Sequence, residues 1–313
     1  NGADIAYIVF TSGSTGTPKG VQVTGMNVMA LLTNMKQVFR LSPGFKASQT
    51  FDLSFDLSIS DMFFTWSNGG TLCVLPELEL SCPAEYIVRE KIDFWHSVPT
   101  LVEFLKKLGY LRPGMYESLK YSVFCGEPLH QKTADAWMLA APNGTVENYY
   151  GPTETTVFVS RYVYKKTEST RKFHNNIVPI GKPLTDHQMV LIDEENKVAG
   201  EKEVGEIAIS GSQVSKGYLN DAEKTKSVFV YMPWDSSDSI WYKTGDMAKY
   251  NDSGDMEYIS RKDNQIKIAG RRIEIGEIES ILKGKIKGED AVVVPYRNEY
   301  GIVTSLVAFV TIK

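Results

Sequence analysis

Across roughly the first 175 residues, short apolar runs alternate with longer amphipathic stretches, and this alternation constrains the fold more than any other feature. Expected strands fall at 5–11, 20–24, 47–51, 71–75, 94–98, 121–125 and 145–149, and expected helices at 27–39, 58–67, 83–91, 100–108 and 130–140. Pro99 suits the first turn of its helix, where a missing N–H costs little. Such βα alternation predicts a layered α/β domain that binds ligands beyond the carboxyl ends of its strands. From about residue 177 the pattern changes to short strands (188–192, 206–210, 247–250, 257–259) punctuated by Gly, Asp and Asn, which reads as a small antiparallel sheet or barrel. After Arg261 a hairpin (265–268, 272–275), a helix (275–285) and two strands (291–295, 303–312) begin a third, mixed unit. The expected organisation is an α/β core over 1–175, a β-rich subdomain over 176–260, and a hinge with an incomplete α+β unit over 261–313.

Composition removes several function classes. The 313 residues are 42% hydrophobic and 23% charged, ample for large cores, and the formal net charge is −4. No dense Lys/Arg stripe gives a nucleic-acid role electrostatic support. No apolar run approaches the roughly 18 residues a membrane span needs, and no signal-peptide pattern is visible. The three cysteines lack CxxC spacing, so zinc and a disulfide framework are not expected, and a reducing cytoplasm fits.

Five short strings carry the chemistry. The first, residues 11–20 (TSGSTGTPKG), lies between two expected strands. Gly13, Gly16 and Gly20 let its backbone approach a ligand, Thr11, Ser12, Ser14 and Thr15 add hydroxyls, and Lys19 adds positive charge. That equipment suits a polyphosphate, although a polar surface hairpin has a similar composition. It is not a Walker A loop, because Pro18 precedes the lysine and a strand follows it. The second, Asn148-Tyr149-Tyr150-Gly151-Pro152-Thr153-Glu154, ends a strand; Glu154 offers a hard oxygen for Mg2+ and Tyr150 a flat face for a purine. The third, Cys125-Gly126-Glu127-Pro128, also ends a strand, where glycine admits close approach. The fourth, Trp241 to Asp246, places an acceptor-only carboxylate after a glycine turn. The fifth, Arg261 to Glu274, reads as a charged linker plus hairpin.

Together these strings resemble the adenylate-forming superfamily of acyl-CoA synthetases, luciferases and amino-acid adenylation enzymes. The resemblance implies that Thr11, Ser12, Gly13, Ser14, Thr15, Gly16 and Lys19 hold the β- and γ-phosphates of ATP. It implies that Asn148, Tyr149, Tyr150 and Gly151 line the nucleotide, with Tyr150 stacked on adenine. Thr153 contacts the α-phosphate, Glu154 binds Mg2+, and Gly126, Glu127 and Pro128 lie along the adenine plane. Asp246 takes the ribose hydroxyls and Arg261 approaches the ribose. Thr153, Glu154 and Lys19 are the expected catalytic residues. Asp263 is the hinge about which a small C-terminal domain rotates, and Gly270 lies on the pantetheine path. Arg271 stands where the family commonly has an aromatic residue.

The element Phe55-Asp56-Leu57-Ser58 resembles amino-acid-activating members, in which such an aspartate meets the α-ammonium of the substrate. A buried carboxylate is costly unless a cation meets it, and an amino acid supplies one. Asp56 could instead cap the helix beginning near Ser58. The implied side-chain pocket comprises Leu57, Ser60, His96, Val123, Cys125, Tyr149, Gly151, Val157 and Phe158. His96 reads equally as a polar contact or as a core histidine. Tyr149 and Phe158 are large, which favours a small or short polar amino acid. The branch resembled is that of D-alanine:carrier-protein ligases, and nonribosomal adenylation domains for other amino acids share most of the same motifs. The implied partners are an amino acid and a phosphopantetheinylated carrier protein. Family members carry far more sequence before the phosphate loop and end on a lysine segment that no lysine here matches. The chain therefore reads as the middle of a longer enzyme, and a catalytically incomplete ATP-binding module is the alternative of another class. An acyl- or aryl-CoA synthetase is the alternative that needs no Asp56.

Overall fold

The computed structural model describes residues 2–12, 18–165, 172–200, 202–263, 265–268, 270–285, 290–297 and 303–311. A hairpin of β1 (Ile5–Thr11) and β2 (Lys19–Thr24) leads directly into helix α1 (Gly25–Val38). Thr24 and Asn27 close a reciprocal capping box at its start. The same Asn27 side chain donates to the carbonyls of Ser212 and Val214, so the cap also ties α1 to a distant loop.

The βα succession follows as β3 (Lys46–Gln49), α2 (Leu57–Ser67), β4 (Thr71–Val74), α3 (Glu77–Leu80), α4 (Ala84–Glu90) and β5 (Phe94–Ser97). It continues with α5 (Pro99–Lys107), β6 (Tyr121–Phe124), α6 (Gln131–Ala140) and β7 (Thr145–Tyr150), then β8 (Ser160–Tyr164) and β9 (Lys182–Pro183). These strands form one sheet in the order β4-β3-β5-β6-β7-β8-β9, parallel through β7 and antiparallel beyond it. Adjacent side chains leave opposite faces of a strand. Trp95, Phe124 and Val146 accordingly pack with Ile87, Val102, Leu105 and Trp137 of α4, α5 and α6. Their neighbours Phe94 and Val123, and Tyr149 three residues beyond Val146, pack on the other face with Leu31, Met35 and Phe64 of α1 and α2. Both faces are covered, as parallel strands require.

A second, antiparallel sheet contains β10 (His187–Ile192), β11 (Gly205–Gly211), β12 (Phe229–Tyr231), β13 (Ile240–Tyr250) and β14 (Met256–Arg261), with α7 (Ala222–Val228) against it. The hairpin β15 (Gln265–Ile268) and β16 (Arg271–Glu274) follows, then α8 (Ile275–Lys285) and the hairpin β17 (Ala291–Arg297) and β18 (Val303–Val310). Ile266, Ile275, Val293 and Val303 form their own small core. The molecule is thus a layered α/β body with an added β-rich sheet and a short α+β segment.

Two local expectations change. Trp241 to Asp246 is not a turn before a strand; it forms the first half of β13. Gly245 keeps the positive φ of +73° that a turn glycine would have, but within a strand whose pairing with β11 slips by a bulge. The first sheet also runs past residue 175, through β9, and Gly181 bridges to Met256 of the second sheet. No helix among the described residues is long and apolar enough to cross a membrane.

Candidate functional site

The parallel strands β5, β6 and β7 end side by side, and the segments leaving them build one wall of a cavity of about 920 Å³. After β6, Gly126 adopts φ +91°. Glu127 then accepts from the backbone N–H of Thr100 at 3.1 Å and its hydroxyl at 2.5 Å, and from the Gly270 N–H at 2.8 Å. After β7, a Cβ on Gly151 would run into the Phe158 backbone, so only glycine fits. The Asn148 amide donates to the Val178 and Pro179 carbonyls at 3.1 and 2.9 Å, which commits it to holding that segment.

Asp246 enters the cavity from β13. Its Oδ2 accepts from the Tyr150 hydroxyl at 2.6 Å and its Oδ1 from Arg261 Nη1 at 3.0 Å. The register of β13 on β14 sets Asp246 opposite Arg261. The remaining fork of Arg261 grips the Asp263 carboxylate through Nε and Nη2, at 2.9 and 2.7 Å. The residue expected at the ribose and the residue expected at the hinge are therefore joined by one guanidinium.

Glu154 lies in a short 3-10 turn after β7 and is fully buried. Tyr218 donates its hydroxyl to Oε1 at 2.7 Å, and Arg272 Nη1 lies 3.0 and 3.2 Å from the two oxygens. Burial alone opposes ionisation, but Arg272 and the hydroxyls of Tyr218 and Tyr242 outweigh it and hold the Glu154 carboxyl below its ordinary value. The Ser12 hydroxyl donates to the Arg272 carbonyl at 3.0 Å, so the phosphate-type loop and the β15–β16 hairpin touch. Lys19 sits 5.9 Å over the Tyr218 ring, and burial, then Lys224 and Arg272, lower its pKa. Thr11 is buried, and its Oγ1 has no partner among the described residues. Gly13, Ser14, Thr15 and Gly16 fall outside the described residues.

On the α2 face of the sheet, Asp56 precedes the first turn of its helix and is buried. It makes no side-chain cap there. Burial pushes its carboxyl above the ordinary value, opposed in part by a hydrogen bond with Thr153. Among the described residues no Lys or Arg forms an ion pair with it. Leu57, Val123, Cys125, Tyr149, Val157 and Phe158 share one apolar cluster. Burial pushes the Cys125 thiol up to about 12, so it stays neutral. Ser60 spends its hydroxyl on the Leu57 carbonyl at 2.7 Å. His96 is fully buried, with its Nδ1 2.7 Å from Asp61 Oδ1 and no partner for its Nε2 among the described residues. Its ring packs against Phe51 and Phe158 at 4.9 and 6.2 Å between centroids. Tyr149 donates to Glu147 at 3.1 Å, and Arg161 forks onto the same carboxylate at 2.6 and 3.0 Å.

Asp61, Tyr218, Arg272 and Glu147 were not singled out from sequence. Asp61 follows Ser60, an expected pocket residue, and Arg272 lies inside the fifth string, so both carried a weak signal. Tyr218 and Glu147 carried none.

The AMP-binding enzyme family pattern matches residues 1–219. A D-alanine--D-alanyl carrier protein ligase of Lacticaseibacillus casei is 34% identical over 315 positions, covering 100% of this chain and 61% of the ligase. A delta-poly-L-ornithine synthetase of Acinetobacter baumannii is 34% identical over 310 positions, 97% of this chain and 22% of the synthetase. The crystal structure of the Vibrio cholerae adenylation domain AlmE in complex with glycyl-adenosine-5'-phosphate superposes with a TM-score of 0.91 at 34% identity, covering 99% of this chain and 58% of that one. The chain thus spans no more than about three-fifths of these relatives, and it belongs to the AMP-binding enzyme family.

Proposed function

We propose that the protein containing this chain activates an amino acid as its adenylate and transfers it to the phosphopantetheine thiol of a carrier protein, with a small amino acid such as D-alanine favoured. The observation that carries this reading is Asp56: a buried carboxylate beside Thr153 that no Lys or Arg among the described residues pairs within ion-pair distance, and whose carboxyl stays raised although Lys267 acts on it electrostatically. An α-ammonium group satisfies it; a fatty or aryl carboxylate does not. The names of the relatives support the same class, one a D-alanyl carrier protein ligase and one a domain with glycyl adenylate bound.

In the first half-reaction the amino-acid carboxylate attacks the α-phosphorus of ATP in line. The bond to the β-phosphate oxygen breaks and pyrophosphate leaves. The carboxylate is already a nucleophile, so the chain supplies position and charge rather than a base. Asp246 takes the ribose, Tyr150 the adenine face, Thr153 the α-phosphate, and the loop containing Ser12 and Lys19 the outgoing phosphates. Glu154 fits as the protein ligand of Mg2+: it is ionised, buried and already bound to a cation, in the form of Arg272. Bound there, the metal would neutralise phosphate charge, keeping most of its other ligands as water and phosphate oxygens. In the second half-reaction the carrier thiol attacks the acyl carbon, the bond to the phosphate oxygen breaks, and AMP leaves. Gly270 is assigned to the path of the pantetheine arm by its place in the fifth string; glycine stands there because φ is +76° and a Cβ would come within 2.8 Å of Val98 Cγ1. The setting we assign is the cytoplasm, where ATP and a carrier protein meet.

The test is exchange of labelled pyrophosphate into ATP by the full-length natural protein, across amino acids and their deaminated counterparts. Exchange driven by one small amino acid and not by its deaminated counterpart is the expected result. Exchange driven equally well by a carboxylate without an amino group contradicts the reading.

A further inference from the structure

The turn that carries the pocket residues Val157 and Phe158 is held in a conformation its own sequence disfavours. Thr156 has φ +58° and Val157 φ +73°, two consecutive β-branched residues in the left-handed region. Such a residue is strained and persists only where its surroundings over-determine it. The surroundings here converge on one side chain. Gln213, in the loop after β11, is fully buried. Its Nε2 donates to the Thr156 carbonyl at 3.0 Å and the Phe158 carbonyl at 2.9 Å, with a longer approach of 3.4 Å to Thr155. Its Oε1 accepts from the Asn34 amide of α1 at 2.9 Å, which fixes which end of the Gln213 amide faces the turn. The Gln213 carbonyl accepts from the Thr156 hydroxyl at 2.7 Å, and its N–H donates to His187 Nε2 at 3.3 Å. Every polar group of Gln213 is thereby spent on this turn or on orienting itself toward it.

The ring carried by the turn closes the apolar cluster: Phe158 lies 4.6 Å from Tyr149 and 6.2 Å from His96 between centroids. On the other side the turn abuts Gly151, where no side chain fits. Phe158 has no freedom to recede while the Gln213 bonds hold. We infer that Gln213 is a specificity-positioning residue: it fixes the Val157–Phe158 wall from behind, and so limits the amino acid accepted to one with a short side chain. This rests on the amino-acid adenylation reading. Gln213 touches no reacting atom in it, and its effect passes through the turn.

Gln213→Met keeps the volume and removes both amide donors. The measurement is pyrophosphate exchange by the full-length protein, comparing specificity constants for a small amino acid and a branched larger one. The expected shift in that ratio toward the larger substrate is roughly tenfold, the scale on which one methylene is discriminated, with the KM for ATP unchanged. Thr156→Gly, which adopts the left-handed region without strain, should recover part of the ratio when added to Gln213→Met. If Gln213→Met fails to accumulate folded, Asn34→Ala releases the amide from its orienting bond and should move the ratio the same way, by less. An unchanged ratio alongside normal wild-type exchange overturns the role of Gln213 alone. Absence of exchange with any amino acid in the wild type overturns the adenylation reading and this inference with it.

Discussion

The two halves of the site treat their buried acids in opposite ways. On the nucleotide side, Glu154 and Asp246 each hold an arginine, Arg272 at 3.0 Å and Arg261 at 3.0 Å, both supplied by residues 261–274. On the proposed amino-acid side, Asp56 is buried with no Lys or Arg in an ion pair among the described residues, and the electrostatic pull of Lys267 does not offset its burial. A buried charge without compensation costs several kcal/mol, so an unpaired carboxyl shifts toward its neutral form instead. That is the direction found: Glu154 is held below its ordinary value and Asp56 is pushed above it. The difference teaches that nucleotide and amino acid enter on different terms. On the proposed reading, Mg·ATP would compete with Arg272 for Glu154, whereas the amino acid would bring an ammonium group to Asp56.

Removing the protein cation gives the larger predicted effect on this contrast. Arg272→Ala strips Glu154 of its partner, and after discounting for the partly exposed guanidinium the cost is about 2 kcal/mol of stability. Mg·ATP should restore more melting temperature to this variant than to the wild type, because the metal meets no competitor at Glu154. A variant that loses stability but gains no extra response to Mg·ATP would break the contrast on the nucleotide side.

A smaller effect sharpens the other side. The Asp56 carboxyl is raised by burial, and an ammonium group binds its ionised form. Amino-acid affinity should therefore be complete above the raised value, as long as the ammonium group keeps its proton, and fall as pH drops through that value, by up to tenfold per pH unit. The fall begins at a higher pH than the ordinary value of 3.8 allows. Binding near that pH should also release a proton, which calorimetry in buffers of different ionisation enthalpy measures. Affinity that stays flat down to the ordinary carboxylate range would show that Asp56 is not the partner.

What the sequence disclosed of this arrangement divides by distance along the chain. The strands β5, β6 and β7 and the strings that end β6 and β7 were legible, because a strand run and the glycine after it lie within a few residues. The contrast between the two halves was not. Arg272 lies 118 residues from Glu154, His96 lies 35 from Asp61, and Gln213 lies 57 from Thr156, and no local pattern marks such pairings. The misplaced start of β13 has a different cause. A glycine with positive φ looks the same in a turn and in a bulge, and only the pairing with β11 tells them apart. Asp56 was legible as an acid in an apolar setting, but that no Lys or Arg among the described residues forms an ion pair with it is a fact of the fold alone.

The central claim is that Asp56 waits for an ammonium group that the nucleotide half does not supply. Its most direct test is calorimetric binding of a non-hydrolysable alanyl-adenylate analogue and its propionyl counterpart, which differ only in the amino group, to the wild type and to Asp56→Ala. A desolvated charge pair of this kind is worth about 3 kcal/mol. The account predicts that the wild type prefers the amino form by on the order of a hundredfold, and that the preference disappears in Asp56→Ala while the propionyl analogue binds as before. Equal affinity of the wild type for the two analogues, or a preference that survives in Asp56→Ala, would contradict it.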